Sequence, residues 1–380
     1  MQPARLMACL PVKFPPDSLI TVALEDVAFG GDGVARHRNQ VTFVPFTITS
    51  ETVEARVVER RRHFQRATLV RVLTPSPHRV EPPCPYFGRC GGCAYQHIDY
   101  GHQLEVKRAQ VAQTLRRLGH LHDAPVRPVI PSPQPFGYRN RITVHAGDDA
   151  IGFFAVRSHR VRDVVRCPLA TDAVNEKLAA VRRQGLPPGV HCTLREGPET
   201  TFRQVNDGMA PLLLAYLGRH VQGSTLVDAY CGTGFFAHSL ASRLHAVMGI
   251  EWSRPAIEAA RRRAAANETY HLGAVEDLLE GILQTFRPDT LLLDPPADGI
   301  AKAATEQILA QPPPRLLYVS CNPATLARDL ARLTPAYRLL EVQPFDMFAQ
   351  TAEIEAAAVL TRDSPPVTIP AAWPPHQPAP

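Results

Sequence analysis

The chain has 380 residues, 45% of them hydrophobic and 20% charged, with a formal net charge of +5. Such a length predicts two or three domains of about 100–200 residues, with cores large enough to need no covalent staples. No apolar run approaches the roughly 18 residues of a membrane helix. The opening MQPARLMACLPVKFPPDS is too short in apolar residues, and broken by Pro11, to pass for a secretory signal. The expected compartment is the cytoplasm, where clustered cysteines more often bind metal than form disulfides.

In chain order, residues 1–16 read as a loose lead-in. Residues 19–73 alternate apolar and polar positions around the turn signal GGDG, predicting about five short strands and a small OB-like barrel of the kind that commonly binds RNA. The proline-rich TPSPHRVEPPCP connects it to a cysteine cluster. Residues 100–119 predict a helix with Leu104, Val111 and Leu115 on one stripe and Gly119 as the stop. A β-rich stretch follows over about 136–167, then a helix near 172–184. From about 224, apolar runs ending in turn residues alternate with helical segments, the pattern of a parallel α/β sheet. The tail SPPVTIPAAWPPHQPAP is proline-rich and expected to be disordered.

Arginine is concentrated in VVERRRHFQRATLVRVL and AVRSHRVRDVVR, suiting bidentate phosphate contact and stacking on bases. On those stretches alone, a solvated charged face and a nucleic-acid surface both remain open.

Four stretches carry chemistry. LVDAYCGTGFF reads as strand, glycine turn, helix, with Gly232 and Gly234 letting a ligand lie against bare backbone. Glu251 ends the next apolar strand, placed to accept ribose hydroxyls. The acid before the glycines and the absence of the full G-x-G-x-x-G pattern favour S-adenosylmethionine over a dinucleotide. In TLLLDPPADGI, two prolines fix the backbone that holds the Asp294 carboxylate at a strand end. In LLYVSCNPATLARDL, Cys321 lies past an apolar strand and just before a helix start, where the dipole favours thiolate. CPYFGRCGGC groups Cys84, Cys90 and Cys93, one thiol short of a closed metal site.

CPYFGRCGGCAYQH, YRNRI, FRQVN, DAYCGTG, DPP, YVSCNPATLARDL and DMFAQTAEIE, in this order, resemble the iron–sulfur branch of the RNA 5-methyluridine methyltransferase family. The resemblance runs from a TRAM-like N-terminal barrel to about residue 362. It implies a multi-domain fold: a TRAM-like OB barrel over 17–75 that binds RNA, a central α+β iron–sulfur domain over 76–200, a Rossmann-like methyltransferase domain over 201–363, and the tail over 364–380.

By the same resemblance, Cys321 is similar to the nucleophile that adds to carbon 6 of a uracil, and Glu355 to the carboxylate that removes the carbon-5 proton, with Glu353 as its rival. Gln204, Tyr230, Glu251 and Asp294 match positions that contact S-adenosylmethionine, and Phe235 stands at a further such position in place of a residue that is often polar. Cys167 matches a fourth ligand, giving Cys84, Cys90, Cys93 and Cys167 around a [4Fe–4S] cluster, although four thiolates suit zinc equally by spacing. Cys9, Cys192 and Cys231 read as structural or incidental. Ala297, Ala349 and Glu353 depart from the family pattern, which usually has arginine, proline and histidine there. The implied function is carbon-5 methylation of a uridine in 23S ribosomal RNA by a monomer. The alternatives are a transfer RNA substrate or a catalytically silent RNA-binding iron–sulfur protein.

Overall fold

The computed structural model describes residues 18–197 and 204–362. The lead-in, Cys9, the start of FRQVN and the proline-rich tail lie outside the described residues. The described residues form two compact units, one of 18–113, 128–197, 204–212 and 344–355, the other of 114–127, 213–343 and 356–362.

The first unit opens with the expected barrel. Strands β1 (Leu19–Val27), β2 (Asp32–His37), β3 (Gln40–Pro45), β4 (Thr52–Arg60) and β5 (Phe64–Thr74) close in the order β1-β2-β3-β5-β4. Alternation sends Ile20, Val22 and Leu24 of β1 and Val53, Ala55 and Val57 of β4 into one core with Ala35, Val44 and Ala67. Gly31 takes φ +93° in the β1–β2 turn, and a Cβ there would lie 2.9 Å from the Ala94 methyl, so only glycine fits.

The connector is tied down by a buried ion pair. Glu51 is fully buried and accepts from the Ile48 N–H at 3.0 Å and the Arg79 guanidinium at 2.8 Å, while Arg79 also donates to the Phe46 carbonyl at 2.9 Å. Burial alone would push the Glu51 carboxyl up; Arg79 and the Ile48 and Ser76 N–H groups outweigh it and hold the carboxyl below its usual range.

Helix α1 (Tyr100–Leu118) follows the cysteine loop, ending one residue before the expected glycine stop. The left-handed residue at its end is His120 (φ 54°), not Gly119. Gly119 is there for space, since a Cβ would meet the Ala327 carbonyl oxygen at 2.8 Å. Strands β6 (Arg141–Ala146), β7 (Ile151–Phe154) and β8 (Val161–Asp163), helix α2 (Asp172–Gln184) and β9 (His191–Arg195) complete the unit as a sheet of order β8-β7-β6-β9. Thr171 caps α2. Ile142, Val144 and Leu194 of the sheet pack on Val174 and Leu178 of α2, with Cys192 at the edge of that core.

The second unit carries α3 (Ala210–His220), β10 (Thr225–Ala229), α4 (Phe235–Ala241), β11 (Ala246–Glu251), α5 (Arg254–Arg263), β12 (Glu268–Leu272), α6 (Val275–Thr285), β13 (Thr290–Leu293), α7 (Lys302–Ala310), β14 (Arg315–Ser320), α8 (Pro323–Leu333), β15 (Tyr337–Phe345) and β16 (Glu355–Arg362). The seven-stranded sheet has the order β12-β11-β10-β13-β14-β16-β15. Strands β10 to β14 pair in parallel and β16 joins β14 antiparallel. All four residues of β13 and all six of β14 are buried, as strands covered on both faces require. The strand order reverses at β10, leaving a crevice at its carboxyl end.

Replacing Arg79 by leucine strands a buried carboxylate and is expected to destabilise the protein by about 3–5 kcal/mol. Chemical denaturation at pH 7 measures it, and a loss below about 1 kcal/mol would mean that the pair is solvated.

Candidate active site

The crevice is built by three strand ends of the second unit. After β10 the chain turns through Tyr230, Gly232 and Gly234, all in the left-handed region (φ 68°, 54° and 81°), before α4 begins at Phe235. A non-glycine residue there is strained, and strain of this kind concentrates at ligand-binding turns. A Cβ on Gly232 would meet nothing within 4 Å, so its backbone faces open space.

Asp228 is fully buried. One of its carboxylate oxygens accepts from the Ala237 N–H at 2.9 Å, and the other has no hydrogen-bond partner among the described residues. Burial pushes this carboxyl well above the usual range, with the nearby Asp294 and Glu251 adding to it. The Tyr230 hydroxyl and Thr233 Oγ1 are buried polar atoms without partners in the same turn. Three orphaned polar atoms around bare backbone are a cradle for a polar ligand.

Glu251 ends β11 with both oxygens oriented by backbone: one accepts from Gly232 N–H at 3.1 Å, the other from Ser253 N–H at 2.7 Å. Asp294 follows β13, and loss of solvent pushes its carboxyl up to about 7. The turn after it is fastened to the start of α8. The Ala297 carbonyl accepts from Asn322 Nδ2 at 3.1 Å and Thr325 Oγ1 at 3.0 Å, and the Asp298 carbonyl accepts from Arg328 Nη2 at 2.7 Å. At Ala297 the fold uses the backbone, so the missing arginine leaves this anchoring intact.

Cys321 leaves β14 as an exposed residue. Asn322 caps α8 by accepting from the Ala324 N–H at 3.0 Å, and Pro323 starts the helix, so the thiol sits beside a helix N-terminus. Cys231, by contrast, is buried, and burial pushes its thiol far up, as expected of an inert cysteine. In the β14–β16 register Ser320 faces Ala356. Cys321 directly follows the first of these and Glu355 directly precedes the second.

In the first unit, the segment from Asp346 to Glu353 is held by side chains of α1 and of the loop before β6. Lys107 and Asp346 are both fully buried, and the ammonium donates to Asp346 Oδ1 at 2.6 Å, the Phe348 carbonyl at 3.1 Å and the Glu353 carbonyl at 3.0 Å. Tyr138 donates to the Ala349 carbonyl at 2.9 Å, so the group used at that position is again backbone. Glu353 is exposed and lies 3.6 Å from Arg139, whereas Glu355 is buried. Gln204 belongs to this unit too, and its carbonyl accepts from Asn140 Nδ2 at 2.6 Å.

Cys84, Cys90, Cys93 and Cys167 all line one cavity of about 610 Å³ in the first unit, with Gln96, Arg139 and Phe153. Burial pushes Cys93 up to about 12 and raises Cys90 and Cys167, and the neighbouring thiols add to each shift. Asn175 clamps the Cys167 loop, accepting from its N–H at 2.8 Å and donating to its carbonyl at 3.0 Å. None of the seven described cysteines is in a disulfide. Among the described residues, no three His, Cys, Asp or Glu side chains are grouped closely enough to hold a metal ion.

Sequence reasoning missed the fully buried Lys107–Asp346 pair. The residues with signals of their own were Asp228, which precedes the glycine turn, and Asn322, which precedes Pro323.

A largely parallel sheet with a glycine turn and carboxylates at successive strand ends, in a chain that also carries a small closed barrel, defines a nucleoside-binding α/β protein with an appended barrel. Residues 166–363 match the family described as tRNA (Uracil-5-)-methyltransferase, and residues 18–70 match the TRAM domain. The chain is 32% identical to an uncharacterized RNA methyltransferase of Gloeobacter violaceus, over 90% of this chain and 96% of that one. It is 31% identical to another from Bdellovibrio bacteriovorus, over 91% and 96%. The solved tRNA (uracil-54, C5)-methyltransferase of Pyrococcus abyssi, in complex with S-adenosyl-L-homocysteine, is similar with a TM-score of 0.70 and 25% identity, over 90% of this chain and 100% of that one.

The chain belongs to the tRNA (uracil-5-)-methyltransferase family. It is an RNA methyltransferase that uses S-adenosylmethionine.

The raised Asp294 carboxyl gives a stability test. Its folded-state value of about 7 exceeds the ordinary 3.8, so the folded protein holds a proton there that the unfolded chain releases, and this contribution is lost as pH rises through about 7. Asp294→Asn is expected to raise the melting temperature more at pH 8 than at pH 5; equal shifts at both would show that the carboxyl titrates normally.

Proposed function

We propose that this enzyme methylates carbon 5 of a uridine through a covalent intermediate on Cys321. The observation that carries this reading is an exposed thiol at a strand end beside a capped helix start, in a chain whose other strand-end cysteine is buried.

Carbon 5 of uracil is a poor nucleophile. The Cys321 thiolate forms a bond to carbon 6, the electrons of the 5,6 double bond become a 4,5 double bond, and the charge moves to the oxygen on carbon 4 as an enolate. Bound S-adenosylmethionine supplies an electrophilic methyl group, toward which carbon 5 is now nucleophilic. Asp228, Tyr230, Phe235, Glu251 and Asp294 would hold that cofactor, with Gln204 as a further contact; the orphaned oxygens of Asp228 and Tyr230 and the backbone-oriented Glu251 fit it. Glu355 then takes the carbon-5 proton, the double bond re-forms, and the carbon 6–sulfur bond breaks to return the thiolate. The burial of Glu355 supports it over the exposed, Arg139-paired Glu353 as the base.

For the cofactor of the first unit, the support is four thiols lining one cavity of about 610 Å³, together with the resemblance carried by the cysteine motif. Cys84, Cys90, Cys93 and Cys167 would be its ligands, and the [4Fe–4S] group would pin the loops they come from. The protein would act on RNA as a cytoplasmic monomer; no described helix is long and apolar enough to cross a membrane. The RNA is proposed to be 23S ribosomal RNA, which rests on the resemblance carried by the cysteine motif. A transfer RNA is the second reading, favoured by the similarity to the Pyrococcus abyssi enzyme.

Anaerobically purified protein is expected to release tritium from RNA labelled at carbon 5 of uridine, on one of two substrates, unmodified 23S ribosomal RNA or transfer RNA. Cys321→Ala abolishes release. Glu355→Gln still transfers methyl but accumulates a covalent protein–RNA adduct, stable to denaturing gels. Methyl transfer without tritium release would sink the assignment of both residues. Failure on both RNAs with the protein folded would favour a silent RNA-binding protein.

The same preparation is expected to be brown, with about four irons and four sulfides per chain, both lost in Cys84→Ser and Cys167→Ser. A colourless protein containing stoichiometric zinc would overturn the cluster.

A further inference from the structure

Gln96, just past Cys93 in sequence, lines the same cavity as Cys84, Cys90, Cys93 and Cys167. It is 2% exposed, between a fully buried Tyr95 and a buried His97. Its side-chain oxygen accepts from the Cys84 N–H at 3.3 Å. That bond orients the amide, because of its two ends only the oxygen can accept. Nε2 is the end left over, and it is buried with no hydrogen-bond partner among the described residues. A buried donor without an acceptor is costly, and in a native fold it marks a group waiting for a ligand or a strained one. The oxygen end shows no strain, since it is already placed on the cysteine loop.

The sulfurs around the cavity are served by different donors. Burial pushes the Cys90 and Cys167 thiols up, and main-chain N–H groups oppose it, Gly92 at the first and Leu169 and Ala170 at the second. Burial pushes Cys93 up to about 12, and the first group opposing it is the Gln96 side chain. The amide nitrogen therefore lies on the Cys93 side of the cavity. A neutral thiol is a weak acceptor, whereas a sulfur that carries negative charge accepts a strong, charge-assisted bond. Cysteine sulfur is anionic when it binds a metal.

We propose that Gln96 is a positioning residue for the cluster of the first unit: Oε1 holds the Cys84 loop while Nε2 donates to the sulfur at the Cys93 corner and tunes the reduction potential. The inference rests on the iron–sulfur reading above and deepens it. A donor at that sulfur stabilises added negative charge, so it favours the reduced form and raises the potential. The donors at Cys90 and Cys167 are main-chain groups that no substitution removes. Gln96 is a side chain, so its contribution can be taken away.

The test uses the anaerobically purified full chain with Gln96→Met and Gln96→Glu. Methionine fills a similar volume with neither donor nor oxygen; glutamate keeps an oxygen for the Cys84 N–H and loses the donor. In film voltammetry, Gln96→Met is expected to lower the ratio of reduced to oxidised cluster at fixed potential about tenfold, a shift of about 59 mV for one electron. Its iron content stays that of the wild type, and Gln96→Glu shifts the potential in the same direction. Electron–nuclear double resonance reads the contact directly. Wild-type protein carrying isotopically labelled nitrogen in its glutamine side chains, reduced by irradiation in frozen solution, is expected to show a coupling to that nitrogen. Gln96→Met loses it. If Gln96→Met fails to load, the wild-type coupling alone decides. A brown wild type with about four irons but no coupling, or a loaded Gln96→Met with unchanged potential, would overturn the role of Gln96 and leave the cluster standing. A colourless wild type holding zinc would overturn the cluster and this role with it.

Discussion

The buried pair of Lys107 and Asp346 is the constraint on which the segment leading into Glu355 depends. Both side chains are fully buried, and the ammonium spends its three protons on the Asp346 carboxylate and the carbonyls of Phe348 and Glu353. Burial pulls the Lys107 ammonium down and Asp346 opposes it. The other Asp346 oxygen accepts from the Tyr100 hydroxyl at 2.7 Å. One turn along α1, Gln103 donates to the Gln350 side chain at 2.9 Å, and the Gln350 carbonyl accepts from the Ala94 and Tyr95 N–H groups. Gln350 is itself left-handed at φ 69°, a conformation that persists only where the surroundings over-determine it. The segment leading into Glu355 is thus fixed by α1 on one side and by the loop after the cysteines on the other. A buried ion pair is weak evidence of stability, but breaking one partner leaves the other charge buried and uncompensated.

The second unit uses the opposite strategy. Its central strands β13 and β14 are fully buried and largely apolar, and several of its polar groups gather where strands end. There they are left short of partners, as with the second oxygen of Asp228 and the hydroxyls of Tyr230 and Thr233. Partnerless polar groups in a buried site are costly in the free protein, and a bound ligand that satisfies them recovers that cost. The same division separates the two strand-end cysteines. Cys231 is enclosed beside Asp228 and Glu251, which together with burial keep it a thiol. Cys321 is displayed beside a helix cap in which Asn322 accepts from the Ala324 N–H and donates to the distant Ala297 carbonyl.

The departures from the family pattern at Ala297 and Ala349 have a common explanation. At both positions the fold engages the main-chain carbonyl, through Asn322 and Thr325 in one case and Tyr138 in the other. The exposed Ala297 side chain is free to vary without loosening the turn, whereas Ala349 is fully buried with Tyr138 and Leu169 and its size is constrained. Glu353 differs: its side chain lies near Arg139 while its carbonyl serves Lys107, so the exchange of a neutral ring for a carboxylate is met by a cation already in place.

Much of the architecture was legible in the chain itself. Alternation in residues 19–73, the apolar runs before Asp294 and Cys321, and the glycines after Asp228 follow from local rules of period and turn chemistry, and these produced the barrel, the parallel sheet and the strand ends where chemistry gathers. The α1 stripe was read as Leu104, Val111 and Leu115, yet the helix also buries Gln103, Lys107 and Gln110. Periodicity sees only apolar residues, so a polar side chain buried through a partner over 200 positions away leaves no trace in it. The facing of Ser320 by Ala356 is equally silent, because strand register is a property of the paired chain. The sequence by itself determined which segments become strands and helices and which residue types stand at their ends; only the tertiary structure decided which polar groups are satisfied, since that depends on partners distant in the chain meeting in space.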